Sequence, residues 1–362
     1  MKIVIVGGGM QGRVIAQNLL LRVEKPIVVI ADLKQPADLP ENTSFVQCDI
    51  LDAAAAKSLA SDADTIVLAV PSAIARQALS NLIAAGKPVV DVSFTPDPPL
   101  DLDRQAKETG ACVLVDCGVA PGLSHILVGA AYAELGGLDE VKILVGGMPK
   151  NPPAGFRHAV YFNPHDLLAE YVRPARARKG GKNIAPAPMD VPFESFTDSQ
   201  DLGQLQAFLS DGLRSLLTSF PDVADMAELT LRWPGHLDAM KTLYQLGLLD
   251  DPEGSRHIAE YFNRRFGSDD FTDVLLMVVE ARRGKETKRW RLLDRRYVNQ
   301  SAMSRTTGYT TAAVAMVLAR KQFTEAGVFP PEKLGAYPAI VDDILADLAE
   351  RGVKTTESAM AF

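Results

Sequence analysis

Short apolar runs that do not alternate with polar residues recur through the first third of the chain. Such runs predict strands that are buried on both faces. Between them lie small-residue stretches with helical spacing, two of which end near Gly86 and Gly110, as helix C-caps do. This alternation predicts an α/β domain with a doubly wound parallel sheet. The predicted strands are KIVIV (2–6), PIVVI (26–30), TIVLAV (65–70), PVVDVS (88–93) and CVLVD (112–116).

The pattern changes from about residue 139, where the apolar runs become longer and carry more polar residues. Longer strands with more polar faces are typical of an antiparallel or mixed sheet, here within an α+β domain. A stretch rich in Pro and Gly (178–193) predicts a loop. Helices are predicted over 211–220, 235–247 and 301–322, and strands over 140–149, FRHAVYF (156–162), 274–284 and 288–296.

The length of 362 residues favours two domains. We predict that the doubly wound α/β domain covers 1–125 and is completed by a C-terminal helical segment of about 300–362. The intervening residues 126–299 form the predicted second domain.

Composition and charge narrow the class of partner. The chain has a net charge of −7 and shows no basic surface pattern of the kind that binds nucleic acid. No apolar run is long enough to span a membrane. The three cysteines form no CxxC pair, which favours reduced thiols and no metal site. The opening MKIVIVGGGMQG lacks the apolar region of a secretion signal. We therefore expect a cytoplasmic protein with a small-molecule partner.

A G-x-G-x-x-G motif, Gly7, Gly9 and Gly12, follows the first predicted strand and opens a helix. In such motifs the glycines permit a tight turn, let the backbone approach a pyrophosphate and let the helix pack closely on the strand. Asp32 ends the second predicted strand, where a carboxylate would bind the ribose hydroxyls and repel a 2′-phosphate, so NAD is favoured over NADP. The alternative is a glycine-rich turn without a ligand, and Lys34 leaves NADP open.

Other candidate cofactor-binding residues lie within the glycine-rich turn and at the ends of the following strands. In open α/β sheets ligands bind at the carboxyl ends of the strands. The alternative for CDI (48–50) is an ordinary strand terminus. These candidates are Met10, Gln11, Asp49, Ile50, Ala69, Val70, Pro71 and Ser72.

The same rule draws attention to DCGVAPGLSH (116–125), where a buried strand meets a carboxylate, a thiol and a Gly-Pro bend. We predict that this stretch faces the nicotinamide ring. Ser93 and Phe94, at the preceding strand end, are candidate substrate-binding residues.

Several stretches occur together in an order that resembles the saccharopine dehydrogenase family, and most closely its lysine 6-dehydrogenase branch. The resemblance covers nearly the whole chain. It is carried by GxGxxG, DCGVAPGLSHILVG, GGMPKNPP, LLAEYVRPAR, AFLSDGLRSLL, LTLRWPGHLDAMKTLYQLG and MSRTTGY.

The resemblance implies a Rossmann domain, an inserted substrate domain whose sheet often mediates dimerisation, and NAD(P)-linked oxidation of a C–N bond. We therefore expect a homodimer or a higher homo-oligomer that assembles through the second domain. In the lysine branch, L-lysine is oxidised at its ε-carbon to ammonia and an aldehyde that cyclises. Phe94 and Ala120 stand where saccharopine reductases carry Tyr and Asp, and an acid, Asp211, stands near the position of their substrate-reading Arg. Gln206 departs from the Glu expected in lysine dehydrogenases, which leaves lysine itself open.

Amine oxidation needs a proton acceptor within hydrogen-bond reach of the reacting nitrogen or water. Asp116 is the first candidate, with capping of the next turn as the alternative. His236, after RWPG, is the second; its alternative is a helix start without a catalytic role. Cys117 is a third candidate, although a small buried residue is favoured over a reactive thiol. His158, His165 and His257 are expected to be surface or capping residues.

Substrate binding calls for a carboxylate anchor and a group that binds a cation. Arg232 is the best anchor because a guanidinium pairs bidentately with carboxylates, and a structural salt bridge is its alternative. Arg305 is a second anchor candidate. Glu170 and Asp211 are candidate cation-binding residues, or else solvated helix charges.

Three functions remain open from the sequence. The first is NAD-dependent oxidative deamination of an amino acid, with L-lysine at its 6-amino group as the expected substrate. The second is a saccharopine- or carboxyalkylamine-type reductase that forms or cleaves a secondary amine. The third is a protein that binds NAD without turnover.

Overall fold

The computed structural model describes residues 1–267 and 271–361. The chain divides into two compact units. Unit 1 comprises Met1–Ala130 and Ser304–Gly352, and unit 2 comprises Ala131–Met303 and Val353–Phe362.

Unit 1 is a Rossmann-like α/β unit, as predicted. Its seven strands are all parallel, in the order β15-β6-β5-β4-β1-β2-β3. Helix α5 begins in this unit and α10 ends in it. The elements are β1 (Lys2–Val6), α1 (Met10–Leu20), β2 (Ile27–Asp32), β3 (Thr43–Gln47), α2 (Ala53–Ala60), β4 (Thr65–Leu68), α3 (Ser72–Ile83), β5 (Val89–Asp91), α4 (Asp103–Thr109), β6 (Cys112–Leu114), α5 (Leu123–Leu135), α10 (Ala302–Ala319), β15 (Gly327–Phe329), α11 (Glu332–Gly335) and α12 (Pro338–Glu350).

The central strands of unit 1 are buried along their length, which is why their apolar residues do not alternate. Val4, Ile66 and Val89 lie in one core cluster with small residues of the helices. Alanines at the helix faces let helices lie close to the sheet; Ala75 and Ala78 of α3 are fully buried. The strand order reverses between β1 and β4, which is the switch point where dinucleotides bind in such sheets.

Unit 2 is built on a nine-stranded mixed sheet, whose main path is β10-β11-β12-β7-β13-β14-β16. Strands β12 and β7 are parallel, and the other neighbours on this path are antiparallel. The elements are β7 (Glu140–Pro149), α6 (Pro164–Val172), β8 (Ala177–Lys179), β9 (Lys182–Ile184), β10 (Glu194–Asp198), β11 (Gly203–Ser210), α7 (Leu216–Ser219), β12 (Asp225–Arg232), α8 (His236–Gln245), α9 (Pro252–Phe266), β13 (Asp273–Arg283), β14 (Glu286–Arg295) and β16 (Thr355–Ala361).

The sheet of unit 2 is strongly curled. Arg291 of β14 pairs with Asp198 of β10 through two hydrogen bonds of 3.0 and 2.8 Å, although four strands separate β14 from β10. Flat strands at the usual spacing would put these two strands about 24 Å apart. The curl encloses an apolar cluster that includes Leu144, Leu231 and Leu276.

Three predictions for unit 2 were wrong. Residues 156–162 form no strand: Val160 makes only an isolated bridge to Gly267, because the apolar side chains Phe156 and Val160 instead join a cluster with α6, α8 and α9. The helix predicted over 211–220 is reduced to α7. The predicted loop 178–193 contains most of the β8–β9 hairpin, turned by Gly180 and Gly181, both with positive φ.

The C-terminal segment also differs from the prediction. Residues 300–362 were assigned to the first domain, but β16 pairs antiparallel with β14 and therefore belongs to unit 2. The polar sequence TTESAMA gave no apolar alternation from which this strand could be predicted. In the part of the chain that the structure describes, we find no helix that could cross a membrane.

Candidate functional site

The glycine motif forms a tight turn at the carboxyl end of β1. Gly7 has a φ of +107°, and a Cβ there would overlap the carbonyl oxygen of Ala69. A Cβ on Gly12 would overlap the carbonyl oxygen of Gly7, so that glycine lets α1 approach the turn. Gly9, which precedes α1, is different: its Cβ would meet open space. This is the arrangement needed to bring a pyrophosphate against the backbone at the start of a helix.

Asp32 ends β2 beside this turn. Its Oδ2 accepts a 2.7 Å hydrogen bond from the backbone N–H of Gly8, and Oδ1 accepts one of 2.6 Å from that of Leu33. Both bonds fix the carboxylate, and each oxygen keeps a lone pair for a further donor such as a ribose hydroxyl. The position and orientation match those required by the NAD prediction, which stays a prediction.

Apolar side chains that face solvent lie at the carboxyl ends of β1, β2 and β3, beside the glycine turn. Met10, Leu33 and Leu51 follow β1, β2 and β3 and are each about half exposed. Asp49 caps its own turn by accepting a hydrogen bond from Leu51 N. Ile50, in contrast, is buried in the core, so its side chain does not suit the predicted role of bordering an adenine, and exposed Leu51 is the better candidate.

Hydrogen bonds connect the residues at the carboxyl ends of β4, β5 and β6. Val70 N donates to Ser93 Oγ (3.2 Å), and Ser93 N donates to the carboxylate of Asp91 (2.8 Å). The backbone carbonyl of Asp91 in turn accepts a hydrogen bond from Cys117 N (3.0 Å). From the glycine turn at β1 to the turn after β6 is a span of three strand spacings, about 14 Å. The structure therefore brings the turn at Asp116 onto the same sheet edge as the glycine motif.

The remaining candidates at this edge differ in exposure. Pro71 and Ser72 mark the start of α3, directly after Ala69 and Val70. Phe94 is 40% exposed, so an aromatic ring faces outward beside buried Ser93. Gln11 Oε1 is buried, and no hydrogen-bond partner for it is found among the residues the structure describes.

The turn after β6 is conformationally unusual. Asp116 is 3% exposed and has a φ of +56°, which is rare for a residue other than glycine. Gly122 also has a positive φ, and a Cβ there would overlap the backbone of Gly118. Conformations of this kind are often retained at functional sites. This turn thus lies at the sheet edge along which the nicotinamide half of a dinucleotide would extend.

Cys117 does not suit a catalytic role. Its side chain is fully buried, and its thiol donates to the carbonyl of Val115. Burial, and then the charges of Asp116 and Asp91, raise the pKa of the thiol well above its usual value. Because the thiolate is the reactive form, the choice of Cys117 as a catalytic residue is opposed by its surroundings.

Unit 2 contains a buried hydrogen-bond chain built around Arg232, the last residue of β12. Arg232 Nε donates to the hydroxyl of Tyr171 (3.0 Å), and an Nη donates to Glu170 (2.6 Å). A further Nη–H is taken by the carbonyl of Leu231. Two guanidinium hydrogens are left over from these contacts, enough for a carboxylate. This geometry is compatible with both predicted roles of Arg232, as an anchor for a substrate carboxylate and as a member of a structural ion pair.

His236 lies at the other end of this chain and cannot act as the general base. Its Nδ1 donates to the carbonyl of Phe156 (2.7 Å), so Nε2 is an acceptor and receives the Tyr171 hydroxyl hydrogen (2.8 Å). Burial and the nearby Arg232 charge lower the pKa of His236 to about 3. Both ring nitrogens are occupied and the ring is neutral. His236 therefore holds Tyr171 in place and, through it, Arg232.

The predicted cation-binding residues are already paired. Glu170 pairs with Arg232, and its side chain remains partly exposed. Its partial burial raises the pKa of the carboxyl group, although the positive charge of Arg232 acts in the opposite direction. Asp211 accepts two hydrogen bonds from the Arg176 guanidinium, of 2.7 and 2.9 Å. The acid that favoured a diamine substrate is thus neutralised by Arg176, a partner that cannot be recognised from the spacing of the two residues in the chain.

Arg305, the second anchor candidate, has structural contacts. It is buried, lies 5.1 Å from the centre of the Tyr309 ring and donates to the carbonyl of Arg351. These contacts within unit 1 oppose its assignment as a substrate anchor.

Three polar residues of unit 2 were not predicted as site residues. His158, expected at the surface, is 2% exposed; burial, Arg232 and His236 lower its pKa well below the usual value. Its Nδ1, the Tyr161 hydroxyl and Glu228 Oε2 are buried, and within the described ranges none of the three has a hydrogen-bond partner. His158 and Tyr161 lie in FRHAVYF, which was predicted as a strand, and no motif singled out Glu228.

The fold and the strand-edge geometry define a dinucleotide-binding unit joined to a second, mixed-sheet unit. Comparison with family models agrees: residues 3–114 match the saccharopine dehydrogenase NADP binding domain and residues 118–353 match the saccharopine dehydrogenase C-terminal domain. The chain belongs to the saccharopine dehydrogenase family. The first of these domains binds a nicotinamide cofactor in the family.

Individual relatives are distant. The chain is 22% identical to an alpha-aminoadipic semialdehyde synthase of Arabidopsis thaliana, over 61% of this chain and 22% of that protein. It is also 22% identical to a saccharopine dehydrogenase [NADP(+), L-glutamate-forming] of Pyricularia oryzae, over 59% of this chain and 49% of that protein. The matched region therefore spans less than half the length of either curated relative.

Among solved structures, the fold resembles that of apo saccharopine dehydrogenase (L-Glu forming) from Saccharomyces cerevisiae. The TM-score is 0.80 at 16% identity, with 99% of this chain and 100% of that chain covered. At this identity the comparison establishes the fold.

Proposed function

We propose that the protein is an NAD-dependent oxidoreductase that oxidises the C–N bond of an amino acid, with L-lysine at its 6-amino group as the expected substrate. The products would be NADH, ammonia and an aldehyde that cyclises. The observation that carries the proposal is the continuous sheet edge from the glycine turn, past Ser93, to the turn at Asp116. Family membership supports nicotinamide chemistry.

The cofactor would lie along this edge of unit 1. Gly9 and the start of α1 would hold the pyrophosphate, and Asp32 the adenosine ribose. A nicotinamide supplies the hydride acceptor, and the chain's own residues orient the substrate and move protons. Asp116 would accept a proton from the amine or from the attacking water. The choice of NAD rests on the negative charge of Asp32, although the matching family model is described as NADP-binding.

Within unit 2, the proposed anchor for a substrate carboxylate is Arg232. Arg232 is fixed by Tyr171 and Glu170 and keeps guanidinium hydrogens for the α-carboxylate. Pre-organisation of this kind reduces the entropy lost when a ligand binds. Assembly into a homodimer through unit 2 and location in the cytoplasm remain further proposals from the sequence.

A second candidate function is a saccharopine-type reaction, in which a secondary amine is formed or cleaved. It is favoured by the Arg176–Asp211 pair, because Arg176 neutralises the acid that favoured a diamine substrate. The names of two similar proteins also point to saccharopine chemistry.

The test is a substrate screen of the purified full chain. L-Lysine, L-ornithine, saccharopine and L-glutamate would each be incubated with NAD and with NADP, and reduced cofactor followed by absorbance. The proposal predicts NADH with L-lysine or another basic amino acid. Turnover of saccharopine alone selects the second candidate. Tight NAD binding without turnover of any amino acid would overturn both and favour a non-catalytic NAD-binding protein.

A further inference from the structure

The backbone of the turn at Asp116 is held on both sides of Cys117. The N–H of Cys117 donates to the carbonyl of Asp91 (3.0 Å), and the N–H of Gly118 donates to the carbonyl of Asp116 (3.0 Å). The second of these bonds spans three residues and closes a γ-turn centred on Cys117. The peptide unit between Cys117 and Gly118 therefore holds the carbonyl of Asp116 directly.

The carbonyl of this same peptide unit is held by helix α10. Oγ1 of Thr311 donates to the carbonyl oxygen of Cys117 across 2.8 Å, from a position 194 residues later in the chain, and Thr311 is fully buried. One turn earlier on α10, Thr307 packs against Gly118, where a Cβ would lie 3.3 Å from its methyl carbon. These two threonines and the turn all lie in unit 1. Helix α10 therefore supports the turn from one side.

The turn needs this support because Asp116 has a φ of +56°. For a residue other than glycine this conformation costs free energy, and it persists only where the surrounding structure enforces it. Buried threonines on helices commonly bond to the carbonyl four residues earlier, as Thr310 does with Thr306 (2.8 Å). Thr311 Oγ1 lies 2.9 Å from the corresponding carbonyl of Thr307, but it also reaches the Cys117 carbonyl outside the helix.

From this arrangement we propose that Thr311 is a positioning residue for Asp116, the group that would accept a proton in the reaction. The inference rests on the proposed function and adds a residue to it. Loss of the hydroxyl would release the peptide unit between Cys117 and Gly118, and with it the bond to the Asp116 carbonyl. The direction of a side chain depends on its own φ and ψ, and a proton acceptor must lie within hydrogen-bond reach of its donor. A displacement of about 1 Å can lower a rate about 100-fold.

The experiment compares two substitutions of Thr311 in the full chain, with saturating NAD and the amino acid that wild type oxidises fastest. Thr311→Val keeps the shape of the side chain but loses the hydroxyl, and its kcat should fall at least about tenfold. Thr311→Ser keeps the hydroxyl and loses a methyl group. Its melting temperature should fall because a cavity is left, while its kcat stays within about threefold of wild type. A purely structural role does not predict that stability and rate change independently.

Thr310→Val is the matched control. Thr310 is also fully buried on α10 and also loses one hydroxyl hydrogen bond, but that bond lies within the helix. Its kcat should stay within about threefold of wild type, the margin set for a variant that keeps the Cys117 bond. The Kd for NADH should change by less than about threefold in every variant, because the groups proposed to bind the pyrophosphate and adenosine, Gly9 and Asp32, lie at the other end of the sheet edge.

A double-mutant cycle tests whether Thr311 acts through Asp116. Asp116→Asn removes the proton acceptor and keeps a residue type that tolerates positive φ. If Thr311 serves only to place the Asp116 carboxylate, Thr311→Val should lower the residual kcat of Asp116→Asn by less than about threefold. Two independent roles would instead multiply the two losses.

The outcomes distinguish this inference from the proposed function. Wild-type kcat in Thr311→Val overturns the positioning role, as does an equal loss in Thr310→Val or in Thr311→Ser, even though the protein oxidises an amino acid. Multiplied losses in the cycle also overturn it. Full activity of Asp116→Asn would remove Asp116 as the proton acceptor and this inference with it. If wild type oxidises no amino acid, the proposed function fails, and the role of Thr311 fails with it.

Discussion

Tyr171 donates its hydroxyl hydrogen to Nε2 of His236 across 2.8 Å, inside unit 2. The direction follows from the Phe156 carbonyl, which takes the hydrogen on Nδ1 of the same ring. The Tyr171 oxygen then accepts from Arg232 Nε. A histidine that the sequence indicated as a base is therefore a positioning residue, two hydrogen bonds away from the guanidinium that it orients.

Replacing Tyr171 with Phe should destabilise unit 2 by about 1–3 kcal/mol, because His236 Nε2 and Arg232 Nε lose their partner while buried. Urea unfolding of wild type and variant measures this change. Tyr261→Phe is the control: Tyr261 is 50% exposed, and its replacement should change stability by no more than about 0.5 kcal/mol. Equal stability of Tyr171→Phe and wild type would contradict the hydrogen-bond chain.

Asp32 should control the choice of cofactor. Asp32→Ala removes the ribose acceptor and the charge that repels a 2′-phosphate, so the Kd for NAD should rise about tenfold or more while that for NADP rises less or falls. Fluorescence titration with NADH and NADPH measures both constants. Asp62→Ala, which removes the partner of Lys2, is the control and should leave both unchanged. If the wild-type protein preferred NADPH to NADH, Asp32 would not be excluding the 2′-phosphate of the cofactor.

Replacement of Gly9 by alanine should weaken NADH binding, whereas replacement of Gly12 should lower thermal stability. A methyl group on Gly9 meets open space, so Gly9→Ala should fold with nearly wild-type stability but bind NADH at least about tenfold more weakly, since the methyl occupies the place of the phosphates. On Gly12 the methyl overlaps the Gly7 carbonyl, so Gly12→Ala should lower the melting temperature. Thermal unfolding with and without NADH separates the two effects. Normal NADH binding by Gly9→Ala would place the pyrophosphate elsewhere.

Glu228 should make stability depend on pH. Burial, and then the negative charges of Glu170 and Asp211, raise its pKa from an ordinary value of 4.5 to about 8 in the folded chain. Between these values the unfolded chain releases the proton that the folded chain keeps, so this group lowers the free energy of unfolding as pH rises from about 4.5 to 8. The effect is at most about 1.4 kcal/mol per pH unit.

Glu228→Gln lacks this titration and should gain stability relative to wild type across the same pH window. Urea unfolding at several pH values between about 5 and 8 gives the two curves, and Glu194→Gln, which replaces an exposed glutamate that pairs with Lys142, should run parallel to wild type. Parallel curves for Glu228→Gln and wild type would mean that Glu228 is ionised throughout.

The sequence was most informative where one local pattern determines the structure. Non-alternating runs such as KIVIV (2–6) gave the central parallel strands, and the spacing of Gly7, Gly9 and Gly12 gave the turn. Candidate side chains were less predictable. The partner of Asp211 is 35 positions away, and that of His236 is 65 positions away. Such pairings depend on tertiary packing, which no spacing in the sequence expresses.

Burial explains the other differences between the sequence-based predictions and the structure. Cys117 and His158 have the residue types of reactive or surface groups, but complete enclosure raises the pKa of the thiol and lowers that of the imidazole. The strand predicted over FRHAVYF failed because an apolar segment can be buried by helices without joining a sheet.

The central claim is that a nicotinamide dinucleotide lies along the carboxyl edge of the unit 1 sheet, from Gly9 to the turn at Asp116. A crystal structure of the full chain with NAD tests this claim most directly. We predict the pyrophosphate at the start of α1, the adenosine ribose on Asp32, and the nicotinamide ring in contact with residues 116–118. A nicotinamide bound away from that turn, or an edge that stays closed to NAD at saturating concentration, would contradict the account.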